Sequence, residues 1–458
     1  MASTVIAGST SSVSKPRLSF WQIWNMSFGF LGIQFGFALQ NSNASGILRN
    51  YGAEVEHLSW FWIAAPLIGM IVQPIVGHYS DQTWTTLGRR RPYFLTGAIL
   101  SSGALLLMPN AGILGEIAPL MIIGAGFLML MDACFNLSME PFRALVADNL
   151  DDSQRTMGFS IQTCLIGIGA VIGSWLPYIL FEYFGVRKDA PAGVVGDNVK
   201  YSFYIGALVF IATIVWTVIK TKEYPPDEYE KYHGKKESGT PEGLGVIFKD
   251  LARMPKTMRQ LGLVQFFSWF ALFGMWVFTT DSIATHIFKL PVTDKSSDLY
   301  REAQTWTGVI FGVYNLVSAG YALLLPTIAS KIGRKKTHAV SLLIGGIGLI
   351  SVFFAPNKEF LILSMCCVGI AWASILAMPY VILSSSIPAG KMGIYMGIFN
   401  FFITIPQIVN GVIGGPIVKY VYNNQPIYAL ILAGFCMICA AVSVVYVYDP
   451  VSIKVSKQ

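Results

Sequence analysis

The residues of this chain whose types and spacing suggest chemistry stand in one stretch, Met131–Leu150, which reads MDACFNLSMEPFRALVADNL inside an apolar run beginning near Pro119. It sets Asp132, Asn136, Glu140 and Arg143 at the centre and lower end of a segment long enough to cross a bilayer as a helix. An ionisable side chain at mid-bilayer costs roughly 2.5–3.5 kcal/mol on insertion scales, so Asp132 is a functional suspect by default. At about 100° per residue, Asn136 lies about 40° around the helix from Asp132 and Arg143 about 20°, so one polar stripe runs down it. Asp132 and Arg143 are roughly 16 Å apart along the axis, beyond the reach of an ion pair. Glu140, three residues before Arg143, is the expected local partner of the arginine. Asp132 is then left without a counter-charge on its own helix, placed to take up and release a proton near neutral pH. A permanently protonated carboxyl bonded to a neighbouring helix is the plainer alternative.

The elements that must position these groups are membrane helices. Of 458 residues, 54% are hydrophobic and only 12% charged, about half the charged share of an ordinary soluble domain. Runs of about 20 apolar residues occur near 20–42, 58–79, 92–110, 117–143, 157–181 and 201–220, then near 261–287, 304–328, 337–355, 360–383, 391–417 and 427–448. The expected fold is an all-α membrane protein of twelve helices in two six-helix halves. Its expected parts are an N-terminal tail (1–19), a first half (20–220), a linker (221–259), a second half (260–448) and a C-terminal tail (449–458). With the N-terminus inside, 23 of the 32 lysines and arginines fall on the inner side, which predicts that both termini are cytoplasmic. That asymmetry also accounts for the net charge of +7 without nucleic acid. The first residues suggest an uncleaved first helix rather than a signal peptide. All six cysteines fall within spans, which disfavours disulfides and zinc sites. In the linker, VIFKDLARMPKTMRQLG reads as an amphipathic piece lying along the membrane surface.

An internal repeat ties the halves together. GHYSDQTWTTLGRRRP follows the second span and ASKIGRKKTH the eighth, so Gly88, Arg89 and Arg90 recur as Gly333, Arg334 and Lys335. Two six-helix repeats about a central site are a transporter architecture. Asp81 with Arg89, Arg90 and Arg91 reads as an inner gate that pairs when closed and separates when open. Simple positive-inside topology is the other explanation for these arginines.

The sequence resembles the sucrose/proton symporter family, in the glycoside-pentoside-hexuronide cation symporter branch of the major facilitator superfamily. The motifs run in order: GIQFGFALQNS in the first span, PLIGMIVQPIVGHYSD leading into LGRRRPYF, Asp132 followed by PFRALVAD, SWFALFGMWVFTTD in the seventh and MGIFNFFITIPQ in the eleventh. The resemblance implies a rocker-switch importer coupling sugar to proton movement, with Asp132 as the proton-coupling group and Arg143 required for transport. It departs from the plant pattern near the seventh helix, where Thr279-Thr280-Asp281 is followed by Thr285-His286 and lacks the Arg–Glu pair. Sugar contacts or gating on that side are therefore expected to differ from the plant pattern.

A sugar site would combine aromatic faces with amides and carboxylates for the hydroxyls. The candidates within spans are Gln34, Gln40, Asn136, Trp276, Asp281, Asn315, Trp372, Asn400 and Gln407. Buried amides also bond between helices, which competes with a sugar role for each. The resulting expectation is a proton-coupled importer of a disaccharide or short glucoside, maltose-type or sucrose, with no cofactor beyond the proton. The expected partners are the sugar and the bilayer, the chain is expected to be monomeric, and the short outer loops and tails suit a bacterial inner membrane. A sodium-coupled melibiose-type symporter is the rival, which would want two or more carboxylates in the first half's core. A polytopic sugar sensor or membrane enzyme is the alternative from another class, and an enzyme would need paired acids or a nucleophile with a base.

Overall fold

In lipid, a backbone without water must satisfy its own hydrogen bonds, so apolar runs of this length fold as helices. The computed structural model describes residues 15–52, 55–188, 190–191, 193–233, 243–294, 297–388 and 390–449. The ends of both tails and the middle of the linker lie outside the described residues. The first half comprises α1 (Phe20–Ser27), α2 (Gly29–Asn50), α3 (Val55–Gln82), α4 (Arg91–Leu107), α5 (Leu120–Asn149), α6 (Asp152–Glu182) and α7 (Asp197–Lys220). The linker carries α8 (Pro226–His233) and α9 (Val246–Ala252). The second half comprises α10 (Lys256–Ser282), α11 (Asp298–Ile332), α12 (Arg334–Ser351), α13 (Phe360–Ser384), α14 (Met392–Phe399), α15 (Phe401–Pro416) and α16 (Ile427–Ser443). With α1–α2 and α14–α15 each making one span, twelve membrane crossings result. Ten helices are long and apolar enough to cross a membrane by length and composition among the described residues.

The two halves repeat one packing scheme. Spans one and six touch as α2–α7, and spans seven and twelve as α10–α16. Spans three and four pair as α4–α5, and spans nine and ten as α12–α13. Between halves, α6 lies against α11 and α13, while α3 lies against α14 and α15. Small residues permit this closeness: a Cβ on Gly77 would stand 2.2 Å from the Gly393 carbonyl oxygen, and one on Gly397 2.6 Å from that of Gln73. Backbones that approach this far form a tight seam, the way small residues commonly bring membrane helices together.

The linker differs from its expectation. VIFKDLARMPKTMRQLG is not one surface helix. It breaks at Arg253–Pro255, and Lys256 begins the spanning helix α10. The cause is Pro255, which disfavours helical backbone at the residue before it and suits the start of the next helix. The remaining piece, α9, is tied to the second half, because Lys391 Nζ donates to Asp250 Oδ1 and Oδ2 at 2.8 and 2.9 Å.

Replacing Gly77 by Ala puts a methyl where the Gly393 carbonyl now sits, and neither backbone can yield locally. Gly77→Ala should hold the linker-side end of the bundle ajar. Nitroxide labels at exposed Thr86 and Lys336, placed in a background lacking the native cysteines, should report a longer distance population in the variant by pulsed electron resonance. An unchanged distance would contradict the seam.

Candidate functional site

The polar stripe on α5 faces the middle of the bundle. Asp132 is 1% exposed, and Gln40 Nε2 on α2 donates to its Oδ1 at 2.6 Å. Its Oδ2 is buried without a hydrogen-bond partner among the described residues. One turn on, Asn136 Nδ2 donates to the Asp132 backbone carbonyl at 2.7 Å, and Gln73 Nε2 on α3 donates to Asn136 Oδ1 at 2.5 Å. The Cβ position of Gly69 lies 3.1 Å from Asn136 Oδ1 and 3.3 Å from Asn400 Nδ2. One amide from each half therefore stands against the bare backbone of Gly69 on α3. Three helices of the first half and the α14–α15 junction of the second converge on this line of amides and a single carboxyl.

A cage of indoles stands in the second half. Trp269 and Trp276 on α10 are seven residues apart, hence on one face, and Trp372 on α13 closes the triangle. The centroid separations are 6.2, 5.6 and 5.9 Å, each pair crossing near edge to face. Tyr314 on α11 supports the cage by accepting from Trp276 Nε1 at 3.2 Å. The indole N–H groups of Trp269 and Trp372 are buried with no acceptor among the described residues. Flat faces with two indole donors match a sugar ring, which offers an apolar face and hydroxyl acceptors.

The linker-side end is closed by charge. Asp81 Oδ1 accepts from Arg89 Nη2 at 2.9 Å and Arg90 Nη2 at 2.5 Å, and Asp148 Oδ2 accepts from Arg90 Nη2 at 2.9 Å. Asp81 also reaches across the halves: Oδ1 accepts from Gly393 N at 3.0 Å and Oδ2 from Ile394 N at 2.9 Å. It thus caps the first turn of α14, where amides lack partners and the helix dipole favours an anion. Glu223, just past α7, accepts from the backbone N–H of Arg89, Arg90 and Arg91 at 3.0, 2.9 and 2.9 Å. A Cβ on Gly88, whose φ is +124°, would lie 2.6 Å from the Glu223 carboxylate, so the turn needs glycine. Tyr229 on α8 donates to Asp148 Oδ1 at 3.3 Å, and its ring lies 4.6 Å from the Arg89 guanidinium. Burial, then the neighbouring Asp148, lifts this phenol above its ordinary range and keeps it a donor. In the second repeat Gly333, at φ +89°, ends α11, and Arg334 Nη2 donates to the Asp152 carbonyl of the first half at 2.6 Å.

Arg143 and Glu140 part company with expectation. No ion pair joins them among the described residues. The Arg143 guanidinium lies 4.3 Å from the ring centre of Tyr380 on α13, a cation–π contact between halves. Glu140 is wholly buried, and neither of its oxygens has a hydrogen-bond partner among the described residues. The aromatic face across the seam outcompetes the neighbour on the same helix.

Among the sugar candidates, the structure brings together Gln40, Asn136 and Asn400 on the polar line and Trp276 with Trp372 in the cage. Asn315 turns back to the Phe311 carbonyl at 3.0 Å, and Asp281 accepts from Tyr300 Oη at 2.9 Å, about 7.5 Å further along α10 than Trp276. Gln34 and Gln407 are half-buried. Sequence reasoning missed Gln73, Trp269, Tyr314, Tyr380, Asp148, Glu223 and Tyr229. The spacing of Trp269 and Trp276 was a usable signal, whereas nothing local marks Tyr380 or Glu223.

A twelve-helix bundle of two repeated halves, sealed at one end and carrying buried polar and aromatic groups at its middle, defines an alternating-access membrane transporter. The chain belongs to the Major Facilitator Superfamily, whose model matches residues 26–411. It is similar to the sucrose transport protein SUT5 of Oryza sativa, 25% identical over 91% of this chain and 85% of that protein. It also resembles the general alpha-glucoside permease of Schizosaccharomyces pombe, 26% identical over 60% of this chain and 50% of the permease. The same fold appears in the transporter FucP in the outward conformation, with a TM-score of 0.65 at 14% identity over 94% of this chain and 98% of that one.

Charge-assisted hydrogen bonds of the kind Asp81 makes are worth about 1.5–3 kcal/mol each. Asp81→Asn should open the seal often enough to raise maleimide labelling of a cysteine at Ile394, which is 2% exposed, by about tenfold or more. Equal labelling rates in the two backgrounds would refute the capping role.

Proposed function

We propose that this chain is a proton-coupled symporter that imports a disaccharide or short glucoside, a maltose-type α-glucoside ahead of sucrose, by alternating access. The observation that carries the coupling is Asp132, one buried carboxyl whose only side-chain partner among the described residues is the amide of Gln40. A lone carboxyl among amides suits a single proton, whereas sodium would seek several oxygen ligands. The relatives named for sucrose transport and alpha-glucoside uptake support the substrate class. Asn136 and Asn400 would hold sugar hydroxyls and the tryptophan cage the ring face.

In this reading the linker side is cytoplasmic, as the lysine and arginine distribution favours, and the conformation is the one sealed from the cytoplasm. Protonation of Asp132 and arrival of sugar from outside release the seal at Asp81. Arg143 conveys the change to the inner end. Moving one charge through about 100 mV supplies roughly 2.3 kcal/mol, enough for about a fortyfold sugar gradient from voltage alone. One carboxyl suffices. The protein acts as a monomer in a bacterial inner membrane, without cofactor and without catalytic chemistry.

Uptake of labelled maltose and sucrose into proteoliposomes under an inward proton gradient, with an inward sodium gradient as comparison, tests the reading. Proton-driven accumulation is expected, and Asp132→Asn should abolish it while leaving sugar exchange. Accumulation driven by sodium alone, or undiminished in the variant, would overturn the assignment.

A further inference from the structure

We propose that Glu140 is a proton switch on the linker side of the bundle, competing with Tyr380 for Arg143 and so tying release of its proton to opening of the seal. The inference rests on the alternating-access reading but on neither the sugar nor the role of Asp132. Three observations carry it. Glu140 is 0% exposed, and both carboxyl oxygens lie without a hydrogen-bond partner among the described residues. An ionised carboxylate in such a place would go unpaired at a cost no membrane interior compensates, so the group is neutral in the sealed state. Arg143, three residues on and on the same face, is drawn away to Tyr380 of the other half.

The charged groups that act on Glu140 are Arg143 on its own helix, Arg90 at the start of α4 and Asp81 at the end of α3. Arg90 and Asp81 are already bound to each other at 2.5 Å. Of the helices packed on α5, α14 (Met392–Phe399) carries no charged residue, and from the other half Tyr380 on α13 meets the Arg143 guanidinium. Arg143 is therefore the cation free to change partner. Glu140 lies about 12 Å along α5 from Asp132, towards the linker end, so it exchanges with water on that side and not through the Asp132 site.

When the seam between α3 and α14 parts, water reaches the carboxyl. The O–H bond of Glu140 breaks, its proton goes to that water, and the carboxylate takes the guanidinium of Arg143 into its own half. Loss of the Arg143–Tyr380 contact removes a bond between halves, so deprotonation favours the open state. Re-protonation from the same side returns Arg143 to Tyr380, and no net proton crosses the membrane by this route.

The test is the Thr86–Lys336 label distance as a function of pH, without sugar. In the parent protein the long, open population should grow as pH rises. Glu140→Gln should stay sealed across the range, while Glu140→Asp should keep a pH dependence. Tyr380→Leu should move the midpoint to lower pH by roughly one unit, the size a desolvated cation–π contact supports. The same dependence should persist in Asp132→Asn, which separates this switch from the coupling site. A pH-independent distance in the parent, an unchanged profile in Glu140→Gln, or an unmoved midpoint in Tyr380→Leu would each overturn the proposal.

Discussion

A carboxyl removed from water must be paired, hydrogen-bonded or neutral, and this constraint orders the whole molecule. Asp81 is held by two arginines and two backbone amides. Asp132 has one amide on one oxygen. Glu140 has no hydrogen-bond partner among the described residues. The degree of satisfaction sorts them by role: the fully bonded one seals, and the poorly bonded ones are suited to hold protons.

The seal has two parts that strengthen each other. Glycines on α3 and α14 let backbones touch, and only at that range can Asp81 reach the amides of Gly393 and Ile394. The linker adds a second layer, with Glu223 holding the Gly88–Arg91 turn and Tyr229 covering Arg89. Packed seams of this kind are bistable and do not deform continuously, so weakening one bond shifts the population between two states.

Much of this was legible because the information was local. The polar stripe from Asp132 to Arg143 lies on one helix, and helical spacing placed it correctly. The twelve spans followed from run length, and the Gly-Arg repeat announced equivalent halves. What was not legible depends on the partner helix. Arg143 was expected to pair with Glu140 because both stand on one face, yet Tyr380 arrives from the other half and wins. Asn136 and Asn400 could be named from sequence as amides, but only the fold sets both against the bare backbone of Gly69. The surface helix expected in the linker failed at Pro255, whose effect on the preceding residue was visible and outweighed by the amphipathic pattern.

The central claim, that one carboxyl at mid-membrane couples sugar to protons, is tested most directly by the current that a sugar pulse evokes in a membrane containing the protein. With sodium absent, maltose or sucrose should evoke an inward current that disappears in Asp132→Asn. Silence without sodium, or an undiminished current in the variant, would contradict it.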